Sequence, residues 1–164
     1  MLGNSPEMGT PEPVSPRLEL ITRLRATLEE PLELGQTPWG RRRVIGITGG
    51  EFDGPVLSGR VLPGGADWQV VHEDGAATID TRYTLECHDG ALIYVATRGC
   101  RRGPREVLER LARGEAVDAS EYYFRVSIQY ETSAARYEWL NWVVAVASAL
   151  RLPDQVVYDA YVVR

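Results

Sequence analysis

Asp80 and Arg82 stand two apart in the run Thr78-Ile79-Asp80-Thr81-Arg82-Tyr83. In an extended strand, residues two apart share a face. The carboxylate and guanidinium therefore lie with Thr78, Thr84 and Glu86, opposite Ile79, Tyr83 and Leu85. Turned inward, Arg82 paired with Asp80 presents a guanidinium to a ligand oxyanion or enolate. Turned to water, the two form a weak surface ion pair. Asp67 and Trp68 follow the glycines Gly64 and Gly65. An aspartate there either satisfies turn donors or acts as a general base, its pKa raised by burial beside tryptophan. Asp67, Asp80 and Arg82 are the candidate catalytic residues. Tyr94 and Arg98 share a face and extend the polar cluster, and in an extended segment Tyr137, Trp139 and Asn141 share another. Two rings make a flat apolar wall, and an asparagine amide orients a carbonyl. With Trp68 these are the candidate substrate-binding residues, although core packing is the competing use of the aromatics.

Other chemistries find little support. His72 and His88 are the only histidines, each beside acidic residues near a turn, without the spacing of a metal pair. Gly49-Gly50 and Gly64-Gly65 lie between strands and open no helix that could hold phosphate. A GxSxG elbow is also missing. The expectation is chemistry without metal or cofactor. The formal net charge of −5 argues against a nucleic-acid backbone as partner, and that all 18 basic residues are arginines reads as the bias of a high-GC genome. Cys87 and Cys100 fit no disulfide framework and read as free thiols of a reducing cytoplasm. The apolar runs fall short of the roughly 18 residues that span a bilayer, so no membrane partner is expected.

The elements that must position these residues are mostly strands. Two-residue alternation dominates, interrupted by glycine and proline. From Arg17 to Leu28 it sets Leu18, Leu20, Thr22, Leu24, Ala26 and Leu28 against Arg17, Glu19, Arg23 and Arg25. Further strands are expected over Arg41–Thr48, Val56–Leu62, Asp67–His72, Thr78–Cys87, Ala91–Arg98, Tyr122–Tyr130, Tyr137–Val146 and Gln155–Val163, with a break at Gly49-Gly50. Asp74-Gly75 and Asp89-Gly90 are hairpin turns and make a three-strand meander. One helix is predicted over Pro104–Arg113, with Val107, Leu108 and Leu111 at helical spacing, proline near its start and Gly114 past its end. Residues 1–16, rich in Gly, Pro, Ser and Glu, are expected to be a disordered leader, and residues 17–164 one domain. About nine short strands and one short helix indicate a mainly β protein, a single antiparallel β-barrel.

The series Gly64-Gly65-Ala66-Asp67-Trp68, Asp80-Thr81-Arg82-Tyr83, Asp89-Gly90 with Ile93-Tyr94-Val95, and Tyr137-Glu138-Trp139-Leu140-Asn141 resembles the domain-of-unknown-function 3237 family over about Leu18 to Val163. The resemblance implies a barrel of lipocalin-like or allene-oxide-cyclase-like shape and brings no agreed activity. After Asn141 the chain departs from the family pattern with an apolar run from Trp142 to Leu150. Two functions are expected of such a barrel. One is a cofactor-independent cyclase or isomerase acting on a small hydrophobic, oxygen-bearing metabolite, a step by fold analogy. The other is a non-catalytic carrier or sensor using the same pocket. Trp142, Val144 and Val146 could form an exterior apolar stripe, which makes a homodimer an expectation as well.

Overall fold

The structure, a computed structural model, describes residues 11–164. It holds ten strands: β1 (Leu18–Leu28), β2 (Leu32–Thr37), β3 (Gly40–Asp53), β4 (Gly59–Val61), β5 (Gly65–Val71), β6 (Ala77–Cys87), β7 (Leu92–Arg102), β8 (Tyr123–Glu131), β9 (Ala145–Arg151) and β10 (Gln155–Val163). Helix α1 (Arg105–Ala112) and 3₁₀ segments at Ala119–Glu121 and Ala135–Trp142 complete it. Of the expected leader, residues 1–10 lie outside the described residues, and residues 11–16 are exposed without regular structure.

Neighbouring strands pair antiparallel, and β1 bonds to both β10 and β3, which closes the sheet. Closure leaves those strands no free edge. The two ends of β3 pair differently: Arg41–Ile47 with β5, and Glu51 and Phe52 with β4. β4 and β5 thus share one stave between β3 and β6, and β2 continues the line of β1, giving an eight-stranded barrel with two extra strands. The meander of β5, β6 and β7 and the helix stand where the alternation and the Asp-Gly turns put them. Gly114, at φ +76°, ends α1 in the left-handed conformation that glycine adopts without strain.

Three expectations need correction. Gly49 and Gly50 do not break a strand; β3 runs through them, close against β1. A Cβ on Gly50 would stand 2.0 Å from the Arg25 carbonyl oxygen, so glycine permits the crossing. In β1, Leu18 and Leu20 do not share the buried face of Leu24 and Ala26, because a bulge between Leu20 and Thr22 reverses the parity. Ile21 is buried instead, while Thr22 keeps the face of Leu24 and Ala26. Lastly, Tyr137–Asn141 is not strand but 3₁₀ segment, and β9 begins only at Ala145. Near that segment and the Gly54–Ser58 loop the barrel is a packed core, where Phe52, Leu57, Leu85, Ile93 and Leu140 are almost wholly buried. The other end, under α1 and the β5–β6 turn, is open.

Candidate functional site

Alternate residues of the strands point into the open end and leave a cavity of about 60 Å³. Its walls are largely apolar: Ile45 and Ile47 of β3, Ile79 of β6, Val126 of β8, Ala149 of β9 and Val156 of β10. The small Ala26 and Ala149 leave room that larger side chains would fill. Beyond the neck lies a vestibule of about 790 Å³, framed by the β2–β3 hairpin, the β5–β6 turn, α1 and the Leu152-Pro153 turn. Arg101 and Arg151 line both spaces and so stand at the neck between them.

Polar groups enter this lumen from β5 and its neighbours. Asp67 is 8% exposed. Its Oδ1 accepts the backbone N–H of Asp80 at 3.0 Å and its Oδ2 accepts Gln69 Nε2–H at 2.8 Å. Gln69 is held in turn by Arg43, whose Nε donates to Oε1 at 2.8 Å. The donor that Asp67 satisfies belongs to the adjacent strand, not to the turn. Burial holds the Asp67 carboxyl above its ordinary range, against the lowering pull of those two hydrogen bonds and of Arg101 and Arg43. Hydroxyl pairs lie deeper: Thr81 with Thr97, and Tyr83 with Tyr158. Burial raises both tyrosines, so they remain neutral phenols. Arg101 is also 8% exposed, with its guanidinium carbon 6.0 Å from the Phe124 ring centre. Burial, reinforced by Arg43 and Arg151, pushes its pKa down to about 10, still cationic at neutral pH.

Of the residues expected at the site, only Asp67 reaches this lumen. Asp80 and Arg82 point outward: β6 turns Ile79, Thr81 and Tyr83 into the cavity, and the parity of a strand sends the polar pair to the exterior. There Asp80 bridges Arg82 at 3.3 Å and Arg98 at 3.7 Å, with Asp80 and Arg82 partly exposed and Arg98 largely so. Arg82 also lies over the outward-facing Trp68 ring, 5.6 Å from its centre, and Tyr94 is exposed on the same outer surface. Tyr137, Trp139 and Asn141 belong to the closed end, and the 3₁₀ segment removes their shared strand face. Tyr137 donates to Asp89 at 3.0 Å, and Trp139 stacks under Arg164. Asn141 accepts from the Thr132 N–H and donates to its carbonyl, both at 2.9 Å.

The residues that gather in the lumen instead are Gln69, Thr81, Tyr83, Thr97, Arg101, Arg151 and Tyr158, with Arg43 beside Gln69. A signal for the arginines existed. Arg43 ends an alternation with Ile45 and Ile47, Arg101 one with Val95 and Thr97, and Arg151 one with Ala147 and Ala149. A charge that closes an inward-facing alternation marks the rim of a lumen. Among the described residues no three His, Cys, Asp or Glu side chains converge as metal ligands. What this lumen offers is one buried carboxylate, hydroxyls and guanidinium charge.

A family model described as "Protein of unknown function (DUF3237)" matches residues 16–163. A solved beta-barrel like protein from Acinetobacter baumannii is 49% identical, with TM-score 0.83, and the match covers 93% of this chain and 99% of that one. A UPF0311 protein of Rhodopseudomonas palustris is 39% identical over 150 residues, 90% of this chain and 98% of its own length. More distant are a PR-toxin biosynthesis cluster protein of Penicillium roqueforti, 24% identical over 94% of this chain and 90% of its own, and a solved enzyme from Penicillium herquei. That enzyme has TM-score 0.66 at 22% identity, covering 93% of this chain and 99% of its own, a likeness of fold.

Proposed function

The chain belongs to the DUF3237 family of proteins of unknown function, and on that premise we propose that it is a cofactor-independent enzyme, a cyclase or isomerase of a small hydrophobic, oxygen-bearing metabolite. The observation that carries this reading is Asp67: the one carboxylate in a largely apolar cavity that also holds hydroxyls and guanidinium charge, buried, fixed by two hydrogen bonds and held above its ordinary pKa. A desolvated carboxylate at the end of a cavity is equipped to take a proton from a substrate C–H or O–H. The electron pair released moves onto the substrate oxygen, where the Arg101 charge stabilises it. Isomerisation follows if the proton returns at another carbon. Cyclisation follows if the electron pair closes a ring onto an electrophilic carbon of the substrate whose double bond or C–O bond breaks, the proton then going to the atom that takes the electrons of that broken bond. The apolar walls hold a flexible substrate in its reactive conformer, which lowers the entropic part of the barrier. Likeness to a fungal protein of a toxin biosynthesis cluster supports a substrate of the secondary-metabolite type. A carrier without turnover is favoured by a different observation, the two hydroxyl pairs that satisfy one another instead of facing the cavity unpaired.

Deuterium exchange separates the two. The full-length protein is incubated in D2O with 4-methylpentan-2-one, and loss of the protons beside the carbonyl is followed by NMR. Wild type is expected to exchange them at least tenfold faster than Asp67→Asn. Equal rates overturn the enzyme, and binding of the ketone without exchange leaves the carrier.

A further inference from the structure

Asp67 accounts for one charge in the lumen, while three of opposite sign surround it. Arg43, Arg101 and Arg151 arrive from β3, β7 and β9, close enough that each of the outer two depresses the protonation of Arg101. Two of them are committed. Arg43 donates to Gln69, and Arg151 gives its guanidinium hydrogens to the carbonyls of Gln155 at 3.2 Å and Pro153 at 3.1 Å. Arg101 is not committed. Its Nε is the one buried side-chain polar atom without a hydrogen-bond partner among the described residues. A guanidinium N–H removed from water and left without an acceptor is costly, and this one stands at the neck, between a largely apolar cavity and an open vestibule.

We infer that the ligand of this lumen is a compact hydrophobic carboxylic acid, its carboxylate docked on Arg101 between Arg43 and Arg151 and its apolar end in the cavity. The inference rests on the reading of the lumen as the ligand site and adds the substrate class. A planar guanidinium fork matches a carboxylate with two parallel hydrogen bonds. One such anion supplies the acceptor that Arg101 Nε lacks and reduces the excess positive charge at the neck. The apolar cavity, about 60 Å³, selects a short branched or small apolar group and excludes a bulky one. Anything larger on the acid extends into the vestibule.

The test uses 4-methylpentanoate against two controls, 4-methylpentanamide, which keeps the shape without the charge, and acetate, which keeps the charge without the apolar end. Each is titrated into 15N-labelled full-length protein while the arginine Nε–H correlations are followed. The Arg101 signal is the one missing in Arg101→Met, a variant whose backbone amide spectrum reports whether it is folded. The expected result is a downfield movement of that signal with 4-methylpentanoate, and a Kd at least tenfold lower than for either control. Arg101→Met is expected to remove the preference for acid over amide. Equal affinity for acid and amide, acetate binding as tightly as the longer acid, an unmoved Arg101 signal, or binding of none overturns the inference. The ketone exchange is read separately. Exchange that depends on Asp67 without preference for the acid sinks the carboxylate class alone, and preference for the acid without exchange sinks the catalytic role alone.

Discussion

Asp67 and Arg101 are each buried at a cost to the fold, and that cost can be measured. The folded protein holds the Asp67 carboxyl above the range of the unfolded chain, about 3.9, so between the two values the folded state keeps a proton that the unfolded state releases. Stability from this group is complete below the unfolded value and is lost as pH rises through the folded one. Asp67→Asn lacks this titration. Urea unfolding between about pH 4 and pH 7 is expected to show the variant gaining on wild type as pH rises; a constant difference would contradict the raised pKa. Arg101→Met removes a largely buried cation whose Nε lacks an acceptor, while keeping an apolar stem. It is expected to be about 1–4 kcal/mol more stable than wild type at neutral pH, measured by the same method. Residues of the outer face behave differently. Asp80→Ala or Arg82→Ala breaks partly exposed ion pairs, with an expected cost below about 1 kcal/mol and no change in 4-methylpentanoate titration.

At the scale of elements, the 3₁₀ segment Ala135–Trp142 is the most informative. It contains Leu140, 1% exposed, and Trp142, 85% exposed, which on an uninterrupted strand would share a face. Leu140→Ala is expected to destabilise by about 2–5 kcal/mol through the cavity it leaves. Trp142→Ala should change stability by less than about 0.5 kcal/mol, and denaturant midpoints of the two variants decide the point. In β3, the crossing at Gly50 sets a second condition. Gly50→Ala would place a methyl 2.0 Å from a backbone oxygen at a φ of +137°. Its expected cost exceeds about 3 kcal/mol, visible as a large fall in the urea midpoint or as failure to fold.

The whole molecule divides its barrel into two halves of different use. The closed end has the density of a core, with large side chains interlocked. Around the open end, small residues and a ring of arginines replace that packing, so the space there is a property of the assembled barrel and of no one strand. Ala149→Leu should fill it. The variant is expected to retain the native fold, with stability within about 1–3 kcal/mol of wild type, and to lose binding of 4-methylpentanoate in the NMR titration. Undiminished binding would move the site out of the lumen and into the vestibule.

Much of this architecture follows from local order in the chain. Alternation marked most of the strands, Asp74-Gly75 and Asp89-Gly90 marked their turns, and Pro104 to Gly114 marked the helix, because turn chemistry and helix ends act over a few residues. The series of motifs from Gly64 to Asn141, taken together and in register, also sufficed to identify the family. Which face of each strand looks inward was decided by closure of the barrel. On β6 both faces carry polar groups, Asp80 and Arg82 on one and Thr81 on the other, so a period of two is the same for either choice. The bulge at Leu20 and the 3₁₀ segment at Tyr137 then reversed or removed parity where alternation continued on paper. The lumen itself was least visible. Arg43, Arg101 and Arg151 are separated by more than a hundred residues of chain in all, and only the closed sheet, which sets the ends of β3, β7 and β9 around one neck, turns three distant charges into a site.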